Sequence, residues 1–307
     1  MFDILPDIHG QVDKLTARLT SMGYRERAGA WRHSDPARQA IFLGDFIDRG
    51  PANGAVIDIV RRMIEAGSAQ AIMGNHELNA IQFHTAHPIT KTPLRPHKQR
   101  NIHQHSAFLT EFPVGSDGAR EMISWMMELP VWLETDHFRA VHACWDDEAI
   151  TCLRDNLRDA RLTPELLARS ADPLDPLHNA LETTTKGPET ALPEGYTFTD
   201  KDGTRRDKVR LKWWQAKALD WVDLALSVPD PSELPQGAAS ADLAARLYPD
   251  HAKPVFFGHY WLSGPLQMQA ANALCLDYSA GADGPLVAYR WQDGDDRIAL
   301  DRIHGSE

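Results

Sequence analysis

The sequence has few cysteines and no long apolar run. Its three cysteines, Cys144, Cys152 and Cys275, are spread over 307 residues without CxxC spacing, which predicts a reduced, cytoplasmic protein. No window approaches the roughly 18 consecutive apolar residues that cross a bilayer, so we expect no membrane span. Met1 is followed by Phe2 and Asp3 rather than by a basic segment, so we expect no secretory leader.

Positive charge is also scarce. Lys and Arg number 32 against 43 Asp and Glu, which gives a net charge of −11. Surfaces that follow a phosphate backbone are usually strongly basic, so we expect no long nucleic acid as a partner. The remaining composition, 43% hydrophobic and 24% charged, is that of an ordinary globular protein. On length alone, 307 residues could form one large α/β domain or two smaller ones.

One predicted strand ends in an unusual concentration of charge. The apolar run from Ile41 to Leu43 is followed by Gly44, and then Asp45, Asp48 and Arg49 follow in close succession. Two carboxylates and a guanidinium are costly to bring together at the end of a buried strand unless something binds there. We interpret this stretch as the centre of a metal site.

Other predicted strands end in polar side chains that can also bind metal. These side chains are Asp7 with His9, Asn75 with His76, His142 and His259. The first three predicted strands, which precede residues 7, 45 and 75, alternate with segments of helical spacing. Such an alternation predicts a parallel sheet, in which the polar clusters meet at the carboxyl edge.

The ordered motifs resemble those of the calcineurin-like metallophosphoesterases. The matching segments are Asp7-Ile8-His9-Gly10, Gly44-Asp45-Phe46-Ile47-Asp48-Arg49-Gly50, Gly74-Asn75-His76-Glu77, His142 and Gly258-His259. The match is closest to the phosphoprotein phosphatase branch, which includes bacterial serine/threonine phosphatases and symmetrical dinucleoside tetraphosphatases. The resemblance implies a four-layer α/β/β/α sandwich. We therefore expect a single domain over 1–307, with insertions at about 84–113, a cap or lid, and at 147–237.

The resemblance also implies two divalent metal ions and assigns their ligands. Asp7 and His9 would hold one ion, and Asp45 would bridge both. Asn75, His142 and His259 would complete the second. Mixed imidazole, carboxylate and amide ligands suit manganese, iron or zinc better than calcium or magnesium, and we expect manganese first.

The same resemblance implies a reaction, the hydrolysis of a phosphate monoester or phosphoanhydride by a metal-activated hydroxide. His76 would donate a proton to the leaving oxygen, and Asp48 would orient His76. Arg49 would bind the phosphoryl oxygens of a phosphorylated small molecule, nucleotide or phosphoprotein. Family members usually supply a second arginine. Arg210 is the candidate here, while Arg205 and Arg206 compete with it.

Several alternatives stay open at this point. A dinucleoside polyphosphate or an RNA end could be the substrate, and a catalytically silent binding scaffold on the same fold is the alternative that is not an enzyme. The basic and aromatic segment 205–214 could contact a phosphate or a base, or it could be an amphipathic edge strand. His103 and His105 could bind a further metal, but exposed loop histidines are commoner. Cys144 could be a ligand or a redox-sensitive thiol, but a buried small hydrophobe is the commoner role.

Three predictions concern the later part of the chain. A helix-like stretch covers residues 150–167, and residues 273–278 and 285–291, with Gly281 and Gly284 between them, predict a closing hairpin. Residues 298–303 predict a final short strand.

Overall fold

The computed structural model describes residues 1–201, 203–216, 220–240, 243–244 and 246–305. The helices are α1 (Val12–Ser21), α2 (Asn53–Glu65), α3 (Asn75–His84), α4 (Gln99–Gln104), α5 (Ser106–Glu111), α6 (Asp117–Met126), α7 (Asp147–Asn156), α8 (Leu167–Ser170), α9 (Pro176–Lys186) and α10 (Trp221–Leu224). Within the described ranges, no helix is both long and apolar enough to cross a membrane.

Within the described ranges, the strands form two larger sheets and three small ones. Their bounds are β1 (Phe2–Leu5), β2 (Tyr24–Arg27), β3 (Ala30–His33), β4 (Gln39–Phe42), β5 (Ala69–Ala71), β6 (Trp132–Glu134), β7 (Arg139–Val141), β8 (Glu189–Ala191), β9 (Phe198–Thr199), β10 (Arg205–Arg206), β11 (Lys208–Leu211), β12 (Ala225–Leu226), β13 (Val255–Phe257), β14 (Ala273–Cys275), β15 (Ala288–Trp291) and β16 (Ile303–His304). The small sheets are the hairpins β2-β3 and β9-β10 and the three strands β12-β11-β8.

The first large sheet has the order β16-β15-β1-β4-β5. Strands β1, β4 and β5 are parallel, with Leu5 opposite Phe42 and Phe42 opposite Ala71. Helix α1 and the hairpin β2-β3 connect β1 to β4, and helix α2 connects β4 to β5. The three parallel strands therefore end at one edge, as the alternation of apolar runs and helical spacing predicts.

The second large sheet has the order β14-β13-β7-β6. Strand β13 runs parallel to both β7 and β14, while β6 and β7 form an antiparallel hairpin. His142 directly follows β7, and Gly258 and His259 directly follow β13. The second sheet thus delivers its histidines from the carboxyl ends of two adjacent parallel strands.

Alternation along the strands explains why the two sheets stack. Ile4 and Ile41 of the first sheet share one buried cluster with Phe256 and Leu274 of the second. Their neighbours along each strand belong instead to the cluster that contains the helices, for example Leu5, Phe42 and Phe257 together with Leu19 of α1 and Leu181 of α9. Each side chain of this size gains about 1.5 to 3 kcal/mol on burial. The predicted four-layer α/β/β/α arrangement is confirmed.

The predicted C-terminal hairpin is wrong. Strand β14 pairs with β13 in the second sheet, whereas β15 pairs with β1 in the first. Gly281 and Gly284 suggested a turn, but in the structure they allow His9 and the backbone of Tyr278 to approach closely. A Cβ atom on Gly281 would lie 2.6 Å from Cδ2 of His9, and one on Gly284 would lie 1.8 Å from the carbonyl oxygen of Tyr278. The connection therefore crosses between sheets and packs against the candidate site.

Two other boundaries differ from the predictions. Helix α7 ends at Asn156 rather than near residue 167, because the backbone is already extended at Leu157 (φ −100°, ψ 140°). The left-handed backbone at Asp159 and Ala160 prevents the helix from resuming there. The predicted final strand, 298–303, is wrong except at its last residue, because Leu300–Arg302 forms a 3₁₀ turn and β16 begins only at Ile303.

The segment 205–214 contains β10, in the hairpin β9-β10, and β11, and it ends in buried aromatic residues. Strand β11 is the central strand of the sheet β12-β11-β8, so the predicted edge position is wrong for it. Trp213 and Trp214 are buried and pack against Phe257, and Trp213 Nε1 donates to the carbonyl oxygen of Ala143 at 3.0 Å. Because the indole rings belong to the core, they are not available to stack on a base. The structure favours the amphipathic-strand interpretation of this segment.

A buried ion cluster joins the first sheet to its neighbours and yields a stability prediction. Asp3 on β1 is fully buried and accepts hydrogen bonds from Arg38 Nη1 at 3.0 Å and Arg290 Nε at 2.9 Å. We expect Asp3→Asn to lower the free energy of unfolding by about 3 to 5 kcal/mol, because it leaves buried guanidinium charge uncompensated. Urea unfolding measures this loss. Asp136→Asn, in the exposed β6-β7 turn, is the matched control, and an equal effect in both variants would contradict the assignment.

Candidate metal centre

The Asp45 carboxylate faces a histidine on each side. Its Oδ2 lies 3.6 Å from Nε2 of His9, and its Oδ1 lies 3.4 Å from Nε2 of His142. His9 follows the first strand of the first sheet, whereas His142 follows a strand of the second. Asp45 therefore stands between ligand candidates from the two sheets, which is the position required of a bridging carboxylate.

Two groups of candidate ligand atoms converge on Asp45. In one group, atoms of His9, Asp45 and His76 all lie within 4.8 Å of one another, and in the other the same holds for Asp45, His142 and His259. Asn75 joins the second group, because its Oδ1 lies 3.1 Å from Nε2 of His142 and 2.7 Å from Nδ1 of His259.

The donor atoms in the second group fit a cation. Nδ1 of His142 lies 2.6 Å from the carbonyl oxygen of Leu43, to which it donates, so Nε2 of the neutral ring carries a lone pair. That lone pair faces Oδ1 of Asn75 and Oδ1 of Asp45, which are acceptors too. Although burial disfavours a charged ring, Asp45 and Asp7 raise the pKa of His142 to about 10. Positive charge is needed here, and a divalent ion would supply it.

His9 in the first group is also held through Nδ1, which leaves its Nε2 available for a metal. Its Nδ1 lies 2.8 Å from the carbonyl oxygen of Ile47, which fixes the ring and directs Nε2 towards Asp45. Among the described residues, Nε2 of His9 and Nε2 of His259 are buried without a hydrogen-bond partner. A buried nitrogen without a partner costs free energy that coordination of an ion would recover.

Asp7 lies beside these two groups but is not a member of either. Both of its oxygens accept from the backbone N–H of His259, at 3.0 and 3.1 Å. The approach requires glycine at position 258, since a Cβ there would lie 2.0 Å from Oδ1 of Asp7. Burial and the nearby Asp277 raise the pKa of Asp7 well above its usual range. A cation close to Asp7 would stabilise its ionised form.

Asp277 belongs to the site but was missed in the sequence. It is buried and accepts from the backbone N–H of Trp261 at 2.7 Å and of Ser279 at 2.9 Å. Burial raises its pKa to about 6, against the effect of these two hydrogen bonds. It follows strand β14, so the strand-end rule that selected the other acidic residues could have found it.

The backbone at the site is strained at the residues that carry the chemistry. His9, Asp45, Asp48, Arg49 and His259 all have left-handed φ angles, between 49° and 74°. Each such conformation costs a non-glycine residue about 1 to 3 kcal/mol and persists only where the surroundings impose it. This strain supports the assignment of these loops as functional.

His76 and Asp48 form a close pair at one side of the centre. Nδ1 of His76 lies 2.5 Å from Oδ2 of Asp48, while the His76 backbone N–H donates to Oδ1 of Asp45 at 2.9 Å. Burial disfavours the charged imidazole, but Asp45 and Asp48 together raise the pKa of His76. The two carboxylates therefore favour the protonated ring, the form that a proton donor requires.

His105 also reaches this pair. Its Nδ1 lies 2.8 Å from Oδ1 of Asp48, and the side chain is only 7% exposed. The expectation of an exposed loop histidine is wrong for His105, which is buried. His103 is exposed as expected, but it lies in helix α4 rather than in a loop. Neither of the two converging ligand groups found in the described ranges contains His103 or His105.

Glu77 ends one of the matching motifs, Gly74-Asn75-His76-Glu77, but only the structure shows what its side chain does. Its carboxylate is fully buried and accepts three backbone N–H groups, from Asp45 and Phe46 at 2.8 Å and from Gly74 at 2.9 Å. It therefore ties the loop after β4 to the start of α3. Burial and the nearby Asp45 raise its pKa to about 7.

The candidate phosphate-binding arginines lie in different surroundings. The Arg49 guanidinium is exposed and stacks 4.0 Å above the ring of Trp261, which sequence reasoning did not single out. Nε of Arg210 is buried and has no hydrogen-bond partner among the described residues. Arg205 and Arg206 lie on β10 and donate to Thr197 and Asp200.

The structure supports the commoner interpretation of Cys144, that of a small buried hydrophobic residue. The side chain is buried, and burial raises the pKa of its thiol well above the usual range. A thiol that stays protonated is a poor ligand and a poor nucleophile. Cys144 therefore behaves as a small core residue.

Comparison with known sequences points to one family. The profile of the family described as calcineurin-like phosphoesterase matches residues 2–260. An asymmetrical bis(5'-nucleosyl)-tetraphosphatase, PrpE, of Halalkalibacterium halodurans is 39% identical over 75 residues, which are 24% of this chain and 30% of that protein. The corresponding protein of Bacillus subtilis is 34% identical over 88 residues, 29% of this chain and 36% of that one.

A relative named as symmetrical also matches. The symmetrical bis(5'-nucleosyl)-tetraphosphatase of Janthinobacterium sp. is 29% identical over 108 residues, 35% of this chain and 34% of its own length. The chain thus spans about a third of the length of the curated relatives it matches.

Solved structures share the fold at low sequence identity. A cold-active protein tyrosine phosphatase superposes with a TM-score of 0.52 and 16% identity, over 94% of this chain and 72% of that one. A protein serine/threonine phosphatase from Saccharomyces cerevisiae gives a TM-score of 0.50 and 14% identity, over 98% and 77% of the two chains.

The three hydrogen bonds to Glu77 generate a prediction about the site. We expect Glu77→Gln to lower the free energy of unfolding of metal-stripped protein by about 1 to 3 kcal/mol, because the amide NH₂ must face a backbone N–H donor. We expect a weaker affinity for Mn²⁺ as well, since the Asp45 loop loses its support. Urea unfolding and calorimetric Mn²⁺ titration measure the two effects. Glu194→Gln, in an exposed turn, is the control, and unchanged metal affinity in Glu77→Gln would contradict the role given to Glu77.

Proposed function

Because the chain belongs to the calcineurin-like phosphoesterase family, we propose that it is a phosphohydrolase that uses two divalent metal ions to cleave a phosphate monoester or phosphoanhydride. The observation that carries this proposal is the position of Asp45 between His9 and His142, with one carboxylate oxygen towards each ring. A carboxylate in this position can bridge two cations.

Residues from both sheets would hold the two ions. Asp7 and His9 would bind the first, Asp45 would be shared, and Asn75, His142 and His259 would bind the second. The mixed donors suit manganese first, with iron or zinc also compatible. When bound, the ions supply an activated water as the nucleophile and neutralise charge that develops on the phosphoryl oxygens.

The chain's own residues supply the proton and the orientation. Nδ1 of His76 donates to Asp48, so the second ring nitrogen, Nε2, is the one that delivers a proton to the leaving oxygen. Nε2 of His76 lies 3.9 Å from Oδ2 of Asp45, which places it at the edge of the centre. An alcohol then departs neutral rather than as an alkoxide, and a phosphate departs with one negative charge fewer.

Two arginines are proposed to hold the phosphoryl oxygens. Trp261 supports the guanidinium of Arg49 from one face, which leaves its N–H groups free to meet oxygens in a planar, bidentate geometry. Burial, His142 and then Arg210 lower the pKa of His259, so Arg210 lies near that ring. Within the described part of the chain, the buried Nε of Arg210 has no hydrogen-bond partner. These two observations favour Arg210 over Arg205 and Arg206 as the second phosphate-binding residue.

The substrate class is a finer proposal. The similarity to tetraphosphatases over about a third of their length supports a nucleoside polyphosphate as the first candidate. A phosphoprotein is the second, since the shared fold is also found in protein phosphatases. The retained His76 and Asp48 pair argues against a silent binding scaffold, because binding alone has no use for a proton donor.

The test is turnover by metal-stripped protein after addition of Mn²⁺. The substrates are p-nitrophenyl phosphate, its bis ester, a phosphopeptide and diadenosine tetraphosphate. We expect hydrolysis that depends on Mn²⁺. In His76→Asn, we expect turnover of the phosphopeptide, whose leaving oxygen is the most basic of the panel, to fall by about 10²- to 10⁴-fold, the usual contribution of a general acid, and turnover of p-nitrophenyl phosphate to fall less. Metal content measured in both proteins is the control, with two ions per chain expected. Wild-type rates in His76→Asn would contradict the proposal, and two bound ions without turnover would favour the scaffold.

A pair of matched variants tests the choice of arginine. We expect Arg210→Ala to raise KM for the preferred phosphate substrate about 10-fold or more, the loss of a charge-assisted hydrogen bond worth about 1.5 to 3 kcal/mol. Arg206→Ala removes the same charge at an exposed position on the neighbouring hairpin and should leave KM unchanged. The reverse order of effects would assign the second arginine to Arg206.

A further inference from the structure

We propose that His105 is a positioning residue for the proton donor, which holds Asp48 in the orientation that supports His76. The inference rests on the proposed phosphohydrolase function. It concerns the segment 84–113, which the sequence predicts to be a cap or lid and which lies outside the matched motifs. His105 stands where helix α4 ends and helix α5 begins.

The two oxygens of Asp48 are each used by one imidazole. Nδ1 of His76 lies 2.5 Å from Oδ2, and Nδ1 of His105 lies 2.8 Å from Oδ1. An ionised carboxylate only accepts, so both rings must donate from Nδ1. With one donor the carboxylate could rotate and exchange its oxygens. With two donors on opposite oxygens its plane is fixed, and so is the tautomer of His76.

The His105 ring is itself held from three directions. It stacks on Phe108, with ring centroids 4.8 Å apart and an interplanar angle of 17°. The edge of Phe83 contacts it at a centroid distance of 5.3 Å. Nε2 of His105 lies 3.2 Å from Nε2 of His84, so the nitrogen that does not face Asp48 also has a partner.

The electrostatics agree with a fixed and ionised Asp48. Burial by itself would raise the pKa of this carboxyl, but the hydrogen bonds from His105 and His76 lower it to about 2. A buried carboxylate with a single partner pays a large desolvation cost, and a second donor offsets part of it.

The same segment supports the backbone of Asp48. Oδ1 of Asn53 accepts from the Asp48 backbone N–H at 2.5 Å, and Glu111 on α5 accepts from both the backbone and side-chain nitrogens of Asn53 at 2.6 Å. Asp48 has a left-handed φ of 71°, so its loop needs this support. The segment therefore braces the proton-donating pair at both side chain and backbone.

The dependence on the leaving group separates a positioning role from a general structural one. In the reaction the bond from phosphorus to the leaving oxygen breaks, water provides the new oxygen, and His76 gives its proton to the leaving oxygen. p-Nitrophenolate is stable as an anion and needs that proton little, whereas phenolate is more basic and needs it more. A misplaced His76 therefore slows phenyl phosphate more than p-nitrophenyl phosphate.

The experiment compares three variants on these two esters with Mn²⁺ present. His105→Phe keeps a flat ring against Phe108 but removes the donor to Asp48, while His105→Asn keeps a donor near the position of Nδ1. His103→Phe, at an exposed position two residues away, is the control. Metal content and thermal unfolding are measured for each protein.

We expect His105→Phe to lower kcat for phenyl phosphate about 10-fold or more, part of the contribution of a general acid. We expect a change below about 3-fold for p-nitrophenyl phosphate and an unchanged KM for both esters, since metal and phosphate binding are intact. His105→Asn should recover most of the loss. If His105→Phe does not fold, His105→Gln, whose amide reaches the Nε2 side of the ring, should show the same selective loss.

Three results would overturn the inference. One is a wild-type kcat in both His105→Phe and His105→Gln. Another is an equal fall on the two esters without recovery in His105→Asn, which would show a merely structural role. Absence of turnover in the wild-type protein would overturn the proposed function, and this inference with it.

Discussion

The Asp45 carboxylate is the constraint on which the centre depends. It is buried among the imidazoles of His9, His76 and His142, and burial acts to raise its pKa. His142 and His76 nevertheless hold the pKa of Asp45 well below its usual range. The neighbouring backbone packs directly against this carboxylate. A Cβ on Gly74 would lie 2.2 Å from Oδ1 of Asp45, so any larger residue there would displace it. The glycines at these strand ends are therefore required by packing against a buried charge.

The part of the site on strand ends could be predicted because strand direction and chain order suffice to bring it together. Asp7, Asp45 and Asn75 follow three parallel strands of one sheet, and His142 and His259 follow two of the other. No knowledge of side-chain packing is needed for this. Asp277 obeys the same rule, and it was missed only because β14 was assigned to a hairpin.

His105 could not be predicted in the same way. It comes from a segment without strands, and its contact with Asp48 depends on how α4 and α5 pack against Phe83 and Phe108. Local periodicity carries no information about such packing. The C-terminal hairpin failed for a related reason, since glycines that permit a close approach look like glycines that make a turn.

The most direct test of the account is the electron paramagnetic resonance spectrum of the Mn²⁺-loaded protein. A carboxylate shared by two ions brings them about 3.5 to 4 Å apart, close enough for their spins to couple. The account predicts a coupled spectrum, with more numerous and more closely spaced hyperfine lines than isolated Mn²⁺ gives, and its loss in Asp45→Asn. A fully loaded wild-type protein that shows only the pattern of isolated ions would contradict a bridging role for Asp45.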